Sequence, residues 1–263
     1  MNPPDPSSSL LNDDYLWPFV GIRTIAALSI AIVAVIICFD LFPRVDTETA
    51  RFFFFPTFCP QNGDEGLVCG RFLWAGSVSV EAIRQYLQAA PVVLGVALLL
   101  VALFRWVALG RRFDRFNAAA AAAIASLALG PGVIVNVILK EFWGRPRPIA
   151  TDMFGGPFPF VPAGHISNYC ASNCSFVSGE VSGAFWLVCL ASLAPMRYQT
   201  AAFAGSLLIA VTTAFLRLAF GGHYLSDVIV AGLISLLAFA ILATALAQMV
   251  PEGGLSYRTS RLG

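Results

Sequence analysis

Charge is what this sequence has least of. Asp, Glu, Lys and Arg make up only 12% of its 263 residues, where a soluble domain carries about 25%. Lysine occurs once, as Lys140, and histidine twice, as His165 and His223, against fifteen arginines. A net charge of +1 gives no basic surface for nucleic acid. The chain shows no alternating polar and apolar pattern of a membrane barrel, and no internal repeat. The N-terminal MNPPDPSSSLLNDDYLW lacks the positive region and cleavage pattern of a signal peptide, so the first apolar run is expected to be retained.

What is there instead is apolar. Hydrophobic residues reach 58% and the mean hydropathy is +0.77. A helix needs about 20 apolar residues to cross the hydrocarbon core. Six runs qualify or nearly so: Phe19–Phe42, Ala89–Leu109, Asn117–Leu139, Ser178–Leu193, Ala201–Phe220 and Val228–Val250. Ser178–Leu193 is the shortest and opens with polar residues. The expected fold is all-α, a polytopic membrane protein with six transmembrane helices. One domain is expected over 19–250, with 44–88 as a first outer loop. The tails 1–18 and 251–263, rich in Pro, Ser, Asp and Gly, read as disordered.

Six crossings put both termini on one side. Arg105, Arg111, Arg112 and Arg115 crowd the second connection, Arg197 lies in the fourth, and Arg258 and Arg261 follow the last run. The positive-inside rule makes these cytoplasmic, although Arg44, Arg51, Arg71 and Arg84 lie opposite. Cys59 and Cys69 flank one outer loop segment, and Cys170 and Cys174 another. On that side disulfides persist, so two bridges are expected, with four free thiols as the alternative. Cys38 and Cys189 fall within apolar runs and read as packing residues.

Polar residues near the run ends form three clusters, all on the outer side. KEFWGRPRP (140–148) follows the third run, CSFVSGE (174–180) opens the fourth, and RLAFGGHYLSD (217–227) joins the fifth to the sixth. Ionisable groups at membrane depth are costly and default to function. Lys140, Arg147 and Arg217, with Arg145 as an additional candidate, supply cations suited to a tetrahedral oxyanion. Ser178 and Gly179 stand at an expected helix N-terminus, which also favours an anion. Phosphate is the natural ligand. Asp227 lies four residues after His223, a spacing that lets a carboxylate orient an imidazole.

These motifs resemble the type 2 phosphatidic acid phosphatase family, related to bacterial acid phosphatases and vanadium haloperoxidases. That family shows K-x6-R-P, S-G-H and R-x5-H-x3-D. Lys140 with Arg147-Pro148 fits the first, and Arg217, His223 and Asp227 fit the third. SGE (178–180) stands where SGH is usual. The resemblance implies that His223 is a nucleophile forming a phosphohistidine and that Asp227 orients it. It also implies phosphoryl binding by Lys140, Arg147, Arg217, Ser178 and Gly179, with Glu180 at the acid/base position. A structural carboxylate pairing Arg217 or Arg147 is the other reading of Glu180. His165 is a second proton-donor candidate, with a solvated loop histidine as its alternative. No metal and no cofactor are implied.

The expected function is therefore a membrane lipid phosphatase with its site at the outer surface, facing the periplasm from a bacterial inner membrane. Its partners are the bilayer and a lipid phosphate, with no nucleic acid. Lipid A, undecaprenyl pyrophosphate, phosphatidylglycerophosphate and phosphatidic acid are the candidates, with a lean to lipid A because SGE is similar to a bacterial branch containing lipid A phosphatases. The alternatives are a lipid phosphotransferase using the same intermediate and a transporter with an anion site. Transporters place such sites near the midplane, often between repeats, and neither feature is visible here.

Overall fold

The computed structural model describes residues 19–59, 68–109 and 115–249. The two tails, Arg111 and Arg112 lie outside the described residues. Seven main helices carry the fold: α1 Ile22–Leu41, α2 Arg44–Phe52, α3 Val78–Ala108, α4 Arg115–Leu127, α5 Gly179–Leu190, α6 Met196–Ala219 and α7 Leu225–Met249. Among the described residues, five segments are long and apolar enough to cross a membrane: Ile22–Leu41, Val78–Ala108, Phe116–Phe142, Met196–Ala219 and Leu225–Ala247.

The fourth apolar run behaves differently. It forms α5, twelve residues, continued by a 3-10 turn at Ala191–Leu193. At about 1.5 Å per residue α5 is some 18 Å long, short of the hydrocarbon thickness of about 30 Å. It is also a core helix. Val181, Ser182, Gly183, Ala184, Trp186 and Leu187 are all buried, as expected of a helix apolar on every face. Its polar atoms are satisfied inside: Trp186 Nε1 donates to the Ala123 carbonyl at 2.7 Å, and Ser182 and Ser235 exchange hydroxyl contacts with α7 at 2.7 Å. α7 is the hub, packing on α1, α4 and α5. The alanine run in α4 serves this contact, with Ala119, Ala120, Ala122 and Ala123 buried.

Two departures from helical regularity shape the site. α4 continues as a π-helical stretch, Ala128–Leu139, and ends in one α turn, Lys140–Phe142. Pro131 lies inside this stretch, and a proline there removes an N–H and clashes with the preceding turn. Asn136 Nδ2 donates to the Pro131 carbonyl at 2.7 Å. α3 begins at Val78, so part of the segment expected as outer loop is helix, and Arg84 rides on it.

The loop before α3 is not featureless. Phe54–Thr57 and Cys69–Phe72 form an antiparallel pair, Phe54 opposite Phe72, and Cys59–Cys69 is a disulfide. Phe72, 1% exposed, packs edge-on to Phe54 and Phe154 and lies against Gly221. Gly221 has φ +65° and no room for a side chain beside that ring, so glycine is required there. Cys170–Cys174 is the second disulfide. Cys38 and Cys189 are free, Cys38 exposed on α1 and Cys189 buried.

Candidate active site

The three sequence clusters meet at one end of the bundle. A cavity of about 620 Å³ has Lys140, Arg147, Arg217, Gly179 and Glu180 on its polar wall, joined by Arg84 from α3. Pro91, Val92, Leu127 and Pro131 continue the wall with apolar surface. A charged head and an apolar body thus find their own surfaces in one space.

Each cation is held by a neighbour. Arg147 Nη2 donates to the Asn173 carbonyl at 2.8 Å and to its Oδ1 at 2.7 Å, and Lys140 Nζ reaches the same Oδ1 at 3.5 Å. Asn173 has φ +50° and sits within the loop closed by Cys170–Cys174. That disulfide therefore presents the residue that aims two cations. Arg147 Nε and Arg217 Nε are buried without a hydrogen-bond partner among the described residues. Buried donors left open beside a polar cavity await an anion.

Ser178 is the N-cap of α5, its hydroxyl accepting from the Val181 N–H at 3.4 Å. It is 0% exposed, so its visible work is capping. Gly179 is the wall residue, with the Asn136 amide packed against it so closely that no side chain fits. Glu180 Oε1 takes Arg84 Nη1 at 2.5 Å and Arg217 Nη1 at 3.3 Å. Arg84 is in turn clasped by Glu81 one turn before it. Glu180 Oε2 is buried and unpartnered among the described residues.

His223 sits behind this wall, 2% exposed. It lies in the turn before α7 rather than on the helix, so Asp227 meets it from a different angle than the i, i+4 spacing implies. Nδ1 lies 2.6 Å from the Ser175 carbonyl and 3.8 Å from Asp227 Oδ2. A carbonyl only accepts, so Nδ1 carries the proton and Nε2 keeps its lone pair. Asp227 acts one step back. Its carboxylate accepts from Ser175 Oγ at 2.5 Å, the Tyr224 N–H at 2.9 Å and Arg145 Nη1 at 2.6 Å. It thereby fixes both the loop that holds the imidazole and the turn that carries it.

Burial pushes the His223 imidazole down to about 3, the Arg217 and Arg147 charges push the same way, and Asp227 opposes. The neutral ring is the nucleophilic form. In a His165→Ala background, which leaves one imidazole, the His223 carbon-13 resonances should stay at their neutral positions from pH 8 to pH 5; a midpoint near 6.5 contradicts this. The folded value lies below the unfolded one, near 6.5. Stability from this group is therefore whole above about 6.5 and falls as pH drops toward 3.

Ser178, His223 and Asp227 do not line the cavity themselves, and neither do two further sequence candidates. Arg145 is 0% exposed and bonds entirely within the protein. His165 is exposed and pairs with Asp40 at 2.9 Å. Conversely, Arg84, Asn136, Asn173, Ser175 and Asp46 emerge only from the fold. Glu81 three residues before Arg84 was a usable sequence signal, since an (i, i+3) pair advertises a fixed guanidinium.

Comparison with known proteins gives the family. The chain is 38% identical over 210 residues to a lipid A 4'-phosphatase of Rhizobium leguminosarum, covering 80% of this chain and 90% of the relative. It is equally 38% identical over 210 residues to a lipid A 4'-phosphatase of Rhizobium etli, covering 80% and 82%. A lipid A 4'-phosphatase of Francisella tularensis subsp. novicida is 39% identical over 106 residues, covering 40% and 48%. No solved structure matches the chain. The PAP2 superfamily model matches residues 119–250, which take in all three polar clusters, His223 and Asp227, and the chain belongs to that superfamily, the type 2 phosphatidic acid phosphatases.

Proposed function

We propose that this membrane lipid phosphatase removes a phosphomonoester from a lipid of the lipid A class, through a phosphohistidine on His223 and without a metal. One observation carries the reading. Lys140, Arg147 and Arg217 line a polar part of a cavity that continues onto apolar surface at Pro91, Val92, Leu127 and Pro131, and the charges of Arg147 and Arg217 reach the neutral imidazole behind it.

The steps follow from the atoms. A phosphoryl group takes the guanidinium faces of Arg217 and Arg147 and the amide of Gly179. The Nε2 lone pair attacks phosphorus, the ester P–O bond breaks, and its electrons leave on the lipid oxygen, which takes a proton from cavity water. Fixed cations stabilise the charge spread over the equatorial oxygens. In the second step water attacks phosphorus, Glu180 Oε2 accepts its proton, the P–N bond breaks to return the pair to Nε2, and the Glu180 proton neutralises the hydroxide left by the first step. Phosphate leaves.

The membrane arrangement belongs to the same proposal. The short α5 with its 3-10 extension counts as a sixth, buried crossing, so both termini share the cytoplasmic side. The site then faces the periplasm from the inner membrane. The 38% identity to lipid A 4'-phosphatases supports the choice of substrate.

Phosphate release by detergent-purified protein, in excess EDTA, from lipid A, undecaprenyl pyrophosphate, phosphatidylglycerophosphate and phosphatidic acid tests this. Fastest release from lipid A, unchanged by EDTA, is expected. Preference for another lipid overturns the substrate, and loss in EDTA overturns metal independence. Stoichiometric phosphate transfer to an added acceptor lipid, in place of release, would favour the phosphotransferase.

A further inference from the structure

Behind His223 lies a buried ion cluster that the reaction above does not use. Asp46, in the first turn of α2, is 0% exposed, as are Arg145 and Asp227. Asp46 Oδ2 accepts from Arg145 Nη2 at 2.8 Å and from Ser226 Oγ at 2.6 Å, and Oδ1 accepts from the Ser226 N–H at 2.8 Å. Arg145 spends Nη1 on Asp227 Oδ1 at 2.6 Å and Nε on the Val161 carbonyl at 2.7 Å. Its guanidinium stacks over the Tyr224 ring at 4.3 Å.

The charges matter more than the bonds. Asp46 and Asp227 each bring −1 and Arg145 brings +1, so the cluster is net −1. Were Asp46 absent, Arg145 would cancel Asp227 and the space behind His223 would be neutral. Phosphorylating Nε2 while Nδ1 keeps its proton puts positive charge on the ring, beside Arg147 and Arg217. In a buried site that charge needs a counter-charge nearby. A buried cluster of this kind is costly to hold and is not explained by stability alone.

We propose that Asp46 is a positioning residue for phosphoryl transfer. It holds Arg145 so that Nη1 fixes the Asp227 carboxylate, and it supplies the second negative charge that carries the imidazolium of the phosphohistidine. This rests on the reading of His223 as nucleophile.

The test compares the parent with Asp46→Asn and His223→Ala, full-length in detergent, measuring kcat for lipid phosphate and inhibition by inorganic phosphate. Asn keeps the shape and removes the charge. A kcat lowered about 10–100-fold, the usual effect of losing a partner behind a reactive group, with phosphate inhibition within about twofold of the parent's, is the expected result. Parent-like kcat overturns the proposal. Equal loss of kcat and phosphate inhibition also overturns it, because α2 would then simply be tied to α7. If Asp46→Asn does not accumulate folded, Arg145→Lys, which keeps the charge but cannot span both carboxylates, is read by the same criteria. Activity surviving in His223→Ala sinks the nucleophile reading instead, whatever Asp46→Asn does.

Discussion

His223→Ala should lower turnover by about 10⁴-fold or more, the scale seen when a nucleophile is removed, while inorganic phosphate still binds. The cations proposed to hold phosphate, Lys140, Arg147 and Arg217, have no bond to the imidazole among the described residues and stay in place. The nearby serine hydroxyls and the second histidine are already engaged. The Ser178 hydroxyl caps α5, the Ser175 hydroxyl is donated to Asp227, and His165 pairs with Asp40 on the exposed side. Phosphorus-32 substrate gives a direct reading. The parent should carry protein-bound label that acid removes and alkali spares, the signature of a phosphoramidate, and the variant should carry none. Turnover in the variant above about one hundredth of the parent's, or label that is acid-stable and alkali-labile, would move the nucleophile elsewhere.

The parts of this site that lie close together in sequence were legible from it. Lys140 and Arg147 are seven residues apart, and Arg217, His223 and Asp227 span the end of α6, the turn after it and the start of α7. Their residue types point to a candidate phosphate site because ionisable groups at membrane depth are costly. The helical, membrane-spanning character was equally plain, since five of the apolar runs form helices long enough to cross. What sequence could not show are contacts closed only by folding. Asp46 meets Ser226 across 180 residues and Arg84 meets Glu180 across 96. The i, i+4 pair at His223 is present at 3.8 Å, but the helix begins at Leu225 and the shorter contact of the imidazole is to the Ser175 carbonyl. The fourth run read as a span by its apolarity, and α5 is short and enclosed by protein rather than facing lipid. Hydropathy alone does not separate lipid from core as the reason for an oily helix.

Glu180→Gln has the second largest expected effect, and it falls on one step. In the fold Glu180 bears two guanidinium groups on Oε1 and leaves Oε2 open. So paired, it is placed to take a proton from water rather than to give one to the departing lipid oxygen. Formation of the phosphohistidine should stay within about tenfold of the parent rate, while its hydrolysis slows by about 10²–10⁴-fold, the usual span of general base catalysis. Rapid-quench kinetics should then show a burst of lipid product near one equivalent, followed by slow turnover, with labelled protein accumulating. Phosphate inhibition should become stronger, because the amide no longer competes with phosphate for Arg84 and Arg217. A variant that forms phosphoenzyme slowly and never accumulates it would make Glu180 the acid of the first step. Unchanged rates for both steps would leave it as a carboxylate that only anchors the two arginines. The burst separates these outcomes because Gln preserves the shape of the side chain and removes the charge, so a change confined to hydrolysis points to proton transfer and not to a disturbed cavity.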